Sequence, residues 1–451
     1  MRMCNQRTGV GSLLGFALVL GLISGGGPVM AQALPPPITE SDYLPVDPEA
    51  AKLGQLLFYD PILSGNRNVA CATCHHPAFG TADAMSLSFG DGGIGLGPDR
   101  RADTENPPQD RVPRNAPALF NLGAREFNVL FHDGRLENDP DLPGGIRTPM
   151  GADMVAGFDS ALSAQTMFPV LSRDEMAGSH SSNDIGRAVR QGLITGPDGA
   201  WSRIARRVAD VPAYLADFQR VYPHVRTADD LAFTDISNAI AAFMALEWRS
   251  DTSQFDAVMR GQARLSGDAA DGMDLFYGDA GCVACHAGPF QTDHGFHAMG
   301  APQIGPGKAA TFETHQRDEG RFRVTGNPAD RFAFRTPSLR NVALTAPYGH
   351  AGAHASLQQF LADHGQPTQA RFDRALVRLD APVDADFAVM DDPAQVADIA
   401  AAVSVPMPIL TDAQIDSLVA FLETLTDPAS VDGRLGVPDT VPSGLTVPAV
   451  D

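Results

Sequence analysis

The chain has 451 residues, with 54 acidic against 33 basic side chains and a net charge of −21. That length exceeds one ordinary domain and suits two, each able to bury its own core. The acidity disfavours nucleic acid or an anionic membrane surface as partner and suits a basic redox partner, or plain solubility.

Residues 1–31 read as a secretory signal peptide. Arg2 and Arg7 precede an apolar run from Leu13 to Ile23, and small residues follow, ending at Ala31 or Ala33. The run is too short to span a bilayer and is broken at Gly25-Gly26-Gly27, so no membrane span is expected. Cys4 lies before it and is lost on processing, leaving four cysteines in an exported, periplasmic protein. Pro35-Pro36-Pro37 forms an extended lead-in, and the spacing from Pro48 to Phe58 predicts a short helix. The stretch from Pro77 to Pro117, rich in Gly, Asp, Arg and Pro, reads as a long structured loop.

Helical spacing returns where Ile236, Ile240, Phe243 and Met244 form one apolar stripe behind a cap at Thr234 or Asp235. A further helix is expected from Thr411 to about Thr426. Thr411 and Gln414 form its capping box, Ile415, Leu418, Val419 and Leu422 share one face, and Pro428 is its stop. No run alternates convincingly as a strand. The expected fold is mainly α with long structured loops and little β. Its units are 38–258 and 259–428, divided near Ser250 to Gly267 and followed by an irregular tail over 429–451.

One short motif occurs once in each unit: Cys71-Ala72-Thr73-Cys74-His75 and Cys282-Val283-Ala284-Cys285-His286. Both are Cys-x-x-Cys-His, the attachment signature of haem c. Two thiols three residues apart each add to one haem vinyl group, and the next histidine is held beneath the iron. A redox-active cysteine pair and a zinc site are the alternatives. Neither accounts for the histidines, and zinc pairs usually lie about 15–20 residues apart rather than some two hundred. The expected cofactors are therefore two covalently bound haem c groups, with Cys71, Cys74, Cys282 and Cys285 attached and His75 and His286 as proximal ligands.

Other segments carry a wider likeness: Leu53-Gly54-Gln55-Leu56-Leu57-Phe58-Tyr59-Asp60, Arg114-Asn115-Ala116-Pro117, Phe131-His132-Asp133-Gly134-Arg135, and Arg335 to Asn341 with Ala346 to His350. With the two motifs, they make the chain from about Leu44 to Pro428 resemble the bacterial di-haem cytochrome c peroxidase and MauG family. The resemblance implies two cytochrome c-like haem domains packed across a shared interface. One haem, in the N-terminal domain, does peroxide chemistry, and the other handles electrons.

The resemblance also implies site residues. The family's distal histidine belongs in the loop after the first motif, but Met85 to Gly95 contains none, so the first haem is expected open or water-bound at rest. His76 is expected at the surface or beside a propionate. Pro169 to Met176 looks like the segment that supplies the distal acid–base group, which puts Glu175 in that role and Leu171 where the family often has glutamine. The sixth ligand of the second haem falls at His364, with Met299, His294, His297 and His354 as rivals. A calcium ion between the domains would take Asn115, Thr345 and Pro347. The family's inter-haem tryptophan is His132 here, and Trp201 and Trp248 read as packing residues.

The function these features imply is a di-haem oxidoreductase acting on hydrogen peroxide. Its partner is a small redox protein (a cytochrome c or copper protein) that donates electrons, or a protein whose side chain it oxidises as MauG does. The alternative is a non-enzymatic di-haem electron-transfer cytochrome.

Overall fold

The computed structural model describes residues 34–154, 156–308 and 313–450; the expected signal peptide and Cys4 lie outside them. The chain is largely helical with few strands. Helix Pro48–Tyr59 starts where the Asp47 carboxylate accepts the Glu49 N–H at 2.9 Å and Pro48 supplies a preset first turn. It buries Leu53, Leu57 and Phe58 against helix Phe233–Glu247. The two backbones touch at Gly54, where a Cβ would run into the carbonyl oxygen of Ala239.

The same device recurs later in the chain. Helix Asp268–Tyr277 packs on helix Asp412–Glu423, and a Cβ at Gly272 would strike the carbonyl of Ser417. Each helix pair stands beside one Cys-x-x-Cys-His segment: Pro48–Tyr59 contacts Cys71–Cys74, and Asp268–Tyr277 contacts Cys282–Ala284. The buried apolar side chains divide accordingly. The largest group runs from Leu53 to Trp248 with Val441 added, and the next from Phe255 to Leu425. A smaller group joins Leu87 to Ile304, Ala351, Ala353 and Phe387, so the loop after the first motif is packed by residues of the second half.

Among the described residues, three small antiparallel sheets occur in the loops. They pair Gly93–Ile94 with Arg101–Ala102, Val129–Leu130 with Leu136–Asn138 and Ile146–Arg147, and Phe296–His297 with Phe334–Arg335. None is longer than three residues, too short to leave a readable alternation. Among the described residues no helix is long and apolar enough to cross a membrane.

Two local expectations are corrected. The helix expected behind Thr234 or Asp235 begins at Phe233 with Ala232 as its cap. Asp235 is inside and reaches back to accept the Ala232 N–H at 3.0 Å. Pro428 is not the stop of the preceding helix, which ends at Glu423. It is the first residue of another, Pro428–Asp432. Beyond Asp432 the tail is irregular, as expected, and lies on the first core. The buried Glu247 carboxylate accepts the N–H groups of Arg434, Leu435 and Gly436 at 3.0, 2.7 and 2.7 Å. Val441, Leu445 and Val447 pack beside them.

Candidate haem centres

The two cysteine motifs are built alike. Each histidine N–H bonds to the carbonyl of the motif's first cysteine, His75 to Cys71 at 3.0 Å and His286 to Cys282 at 2.9 Å. Each Nδ1 meets a backbone carbonyl at 3.1 Å, Thr81 for His75 and Gln291 for His286. A ring that donates from Nδ1 presents Nε2 as a metal ligand, and the hydrogen bond fixes both tautomer and ring orientation. Thr81 and Gln291 both have positive φ, 60° and 49°, which turns these carbonyls back toward the rings. All four cysteines are free of disulfides, as thioether attachment requires.

A cavity of about 290 Å³ lies at the second motif, lined by Cys282, Cys285, His286, Met299 and His364 among others. The rings of His286 and His364 face each other there with centres 6.4 Å apart. Two imidazoles on opposite sides of one metal, with bonds of about 2 Å, place their ring centres roughly 6.3 Å apart. His364 stands directly after helix Leu357–Asp363 and has no hydrogen-bond or ion-pair partner among the described residues. Burial and the neighbouring His286 and His354 push its pKa down to about 3, so the ring is neutral, as a ligand must be.

Three rivals are occupied by carboxylates: His294 by Glu126 at 3.3 Å, His297 by Asp293 at 2.9 Å and His354 by Asp363 at 2.9 Å. Met299 remains, and it lines the same cavity. Arg335 also lines it, half-buried and, among the described residues, paired with no carboxylate. Its guanidinium donates only to the carbonyls of Phe131 and Thr336, and burial lowers its pKa to about 10. Such a cation suits an anionic group entering the cavity, as a haem propionate does.

At the first motif, Glu175 lies in the π-helical turn Arg173–Ala177, a rare geometry that often marks functional positions. Burial raises its pKa, against the charges of Lys308 and Arg135 and a hydrogen bond from Ser172. It lies within electrostatic range of Cys74. Arg173 does not hold it, being paired with Asp174 at 2.8 Å. The loop without histidine is pinned to this turn, with Gly90 N–H donating to Asp174 O at 3.2 Å and Asp91 N–H to Glu175 O at 2.8 Å. Arg100, itself buried, donates to the carbonyls of Phe89, Gly90 and Gly95. Ser86 Oγ donates to Gly352 O at 2.6 Å, tying the loop to the second half. His76 is not at the surface. It is 5% exposed, its ring meets Tyr59 and Phe79, and Nδ1 accepts the Ala78 N–H.

His132, which lines the second motif's cavity, is half-buried and its Nε2 meets Asn115 O at 3.1 Å; desolvation and Arg114 lower its pKa to about 3. Asn115, Thr345 and Pro347 are all among the residues that line the cavity. The Asn115 side-chain amide donates to Met85 O at 2.7 Å and Ser86 O at 3.3 Å, which leaves Oδ1 as a free acceptor. His350 stacks on Phe334 with ring centres 3.8 Å apart, and both its nitrogens are buried without a partner.

The family model described as Di-haem cytochrome c peroxidase matches residues 48–264. Relatives include the cytochrome-c peroxidase IdrP2 of Denitromonas iodatirespirans, 28% identical over 79% of this chain and 83% of that protein. The methylamine utilization protein MauG of Methylorubrum extorquens is 29% identical over 71% of this chain and 69% of its own. The chain belongs to the di-haem cytochrome c peroxidase and MauG family. The solved diheme peroxidase BthA from Burkholderia thailandensis shares its fold, with a TM-score of 0.54 at 22% identity, covering 90% of this chain and 92% of that one.

For a member of this di-haem family, sequence reasoning passed over Lys308, Arg100, and the buried network in which Arg114 pairs with Asp133 at 2.7 Å and Asp318 at 2.6 Å. One signal was available. The chain has 33 basic residues, and only Lys52 and Lys308 among them are lysines.

Proposed function

We propose that this protein is a periplasmic di-haem c oxidoreductase that reduces hydrogen peroxide with electrons from a small redox protein, a cytochrome c or a copper protein. In this reading the units 38–258 and 259–428 each hold one haem. Cys71, Cys74 and His75 hold the peroxidatic one, and Cys282, Cys285, His286 and His364 hold the electron-transfer one. Arg335 meets a propionate, and Asn115 Oδ1 with the carbonyls of Thr345 and Pro347 offers a calcium ion an all-oxygen site.

Bound haem c supplies an iron that takes a peroxide oxygen and exchanges electrons. The observation that carries the reading is Glu175, a carboxyl with raised proton affinity, bound by no arginine, near the first motif. Cleaving O–O heterolytically requires moving a proton from one peroxide oxygen to the other. Glu175 accepts the first oxygen's proton and returns it to the departing one, so that water leaves. With two electrons and two protons from outside, one peroxide becomes two waters.

A second reading, oxidation of a partner protein's side chain as in the MauG relatives, is favoured by the loop from Met85 to Gly95. It brings no histidine to the first centre and is held in place by Arg100. Electron paramagnetic resonance of the diferric protein, before and after one equivalent of hydrogen peroxide, tests the shared chemistry. The expected result is one high-spin and one low-spin signal, with the high-spin signal consumed. Two low-spin signals inert to peroxide would instead leave a peroxidase that needs reductive activation or an electron-transfer cytochrome.

A further inference from the structure

We propose that the surface around Ala284, between the two cysteines of the second motif, is the docking face for a small electron carrier that presents a lysine-rich rim around its own cofactor. The inference rests on the peroxidase reading and names the class of partner which that reading leaves open.

The two attachment motifs differ in what covers them. In the first, the residues between the cysteines are shut in, Ala72 at 0% and Thr73 at 4% exposure. In the second, Val283 is half-buried and Ala284 is exposed. These residues stand between the thiols that carry the haem, so the attachment edge of the second haem comes to the surface and that of the first does not. A carrier that keeps its cofactor and passes only an electron needs such an edge.

An apolar ledge stands beside it. Along segment 405–410, Val405 and Met407 line the same cavity as Ala284 and Cys285, while Pro406 and Pro408 between and after them are exposed. Ile409 is 88% exposed, more than any other large apolar side chain among the described residues. A lone exposed isoleucine means little, but this one continues the wall of the cavity at the motif. The two prolines fix the backbone of the ledge, so docking on it orders little that was free.

Charge selects the partner. No lysine or arginine occurs between Arg264 and Lys308, or between Arg378 and Arg434. Those stretches contain the second motif, the ledge, and the packed helices Asp268–Tyr277 and Asp412–Glu423. Asp268, Asp271 and Asp274 recur every third residue along the first helix, Asp279 follows it, and Asp416 and Glu423 lie two turns apart on one side of the second. All six are exposed and, among the described residues, have no ion-pair partner. Arg371 reaches the second helix, but Asp412 holds it at 2.7 Å. Acids placed for solubility alone require no such gap in the bases. A small apolar centre with a rim of one charge suits a transient redox encounter, in which the charges steer the approach and the limited contact lets go.

The test is binding of a lysine-rich mitochondrial cytochrome c to the haem-loaded, full-length protein. It is read by isothermal titration calorimetry at about 0.01 M and 0.15 M salt, where charges act over roughly 30 and 8 Å. The triple variant Asp271→Asn, Asp274→Asn, Asp279→Asn should raise Kd about tenfold at the lower salt, the low end of electrostatic steering, and far less at the higher. A control triple, Asp198→Asn, Asp210→Asn, Asp229→Asn, removes the same charge from exposed positions of the first half and should leave Kd nearly unchanged. Ile409→Ser should weaken binding at both salt concentrations.

Equal losses in the two triple variants would overturn the proposal, because net charge alone would then account for the attraction. So would absence of binding by the native cytochrome, or equally tight binding after its lysines are succinylated. The peroxidase reading fails separately: the resonance change with peroxide tests it without any cytochrome, and calorimetry tests the face without peroxide.

Discussion

His286 and His364 face each other across the second motif's cavity with ring centres 6.4 Å apart, and Phe360 lies beside His364 at 4.9 Å. If these rings are the two axial ligands, His364→Ala converts the low-spin resonance of the second haem to high-spin. His364→Met keeps it low-spin and raises its potential, because methionine ligation favours the reduced iron. Redox titration with resonance detection measures both. A low-spin signal that survives His364→Ala would assign the sixth position to Met299, which lines the same cavity.

Glu175 should dominate the peroxide reaction. Removing a positioned acid–base group costs about 10²–10⁴-fold in rate. Glu175→Gln is expected to lose that much kcat/KM for peroxide, with both haems still attached. In the wild-type protein a base must be ionised to work. Since burial raises the Glu175 pKa, activity should fall with decreasing pH at values above the ordinary glutamate range. Stopped-flow kinetics across pH, with haem content checked by absorbance, measures both effects.

Asp83 gives a stability prediction at the base of the pinned loop. It is 1% exposed and accepts the Met85 N–H at 3.0 Å; burial lifts its pKa from 3.8 to about 6. A folded-state pKa raised in this way contributes stability below pH 3.8, and that contribution is lost as pH rises through 6. The displacement corresponds to about 3 kcal/mol at neutral pH, as an upper figure. Asp83→Asn keeps the acceptor and removes the charge. It should therefore raise the Tm at pH 7 by several degrees and leave it nearly unchanged at pH 4. Equal effects at both pH values would rule out the charge as the cause.

The two motifs were legible because thioether attachment and ligation demand contiguous residues. Helices Pro48–Tyr59 and Asp412–Glu423 were legible through spacing and their caps at Asp47 and Thr411. The cap at Ala232 was not, since an alanine caps there only because Asp235 reaches back to it. His364 stands out in sequence only through the resemblance. The structure adds its place opposite His286 and the carboxylate partners of its three histidine rivals. What escaped sequence reasoning depends on contacts between distant residues. Arg114 meets Asp133 and Asp318 through packing that no local pattern encodes.

The tail shows the same dependence and yields a final prediction. It has no periodicity, yet Arg434, Leu435 and Gly436 give their N–H groups to Glu247, which is 1% exposed. Truncation after Asp432 removes all three donors together with the chain that covers the carboxylate, leaving it only water on that side. It also strips Val441, Leu445 and Val447 from the first core. A buried charge that loses its partners costs roughly 3–5 kcal/mol. A drop of at least about 3 kcal/mol in unfolding free energy is expected, read from urea denaturation midpoints. Glu247→Gln in the truncated chain should recover part of it, because a neutral amide is cheaper to bury than a carboxylate. If truncation left the midpoint unchanged, the Glu247 contacts would carry no stability. If it lowered the midpoint with no recovery in Glu247→Gln, the loss would come from the apolar contacts alone.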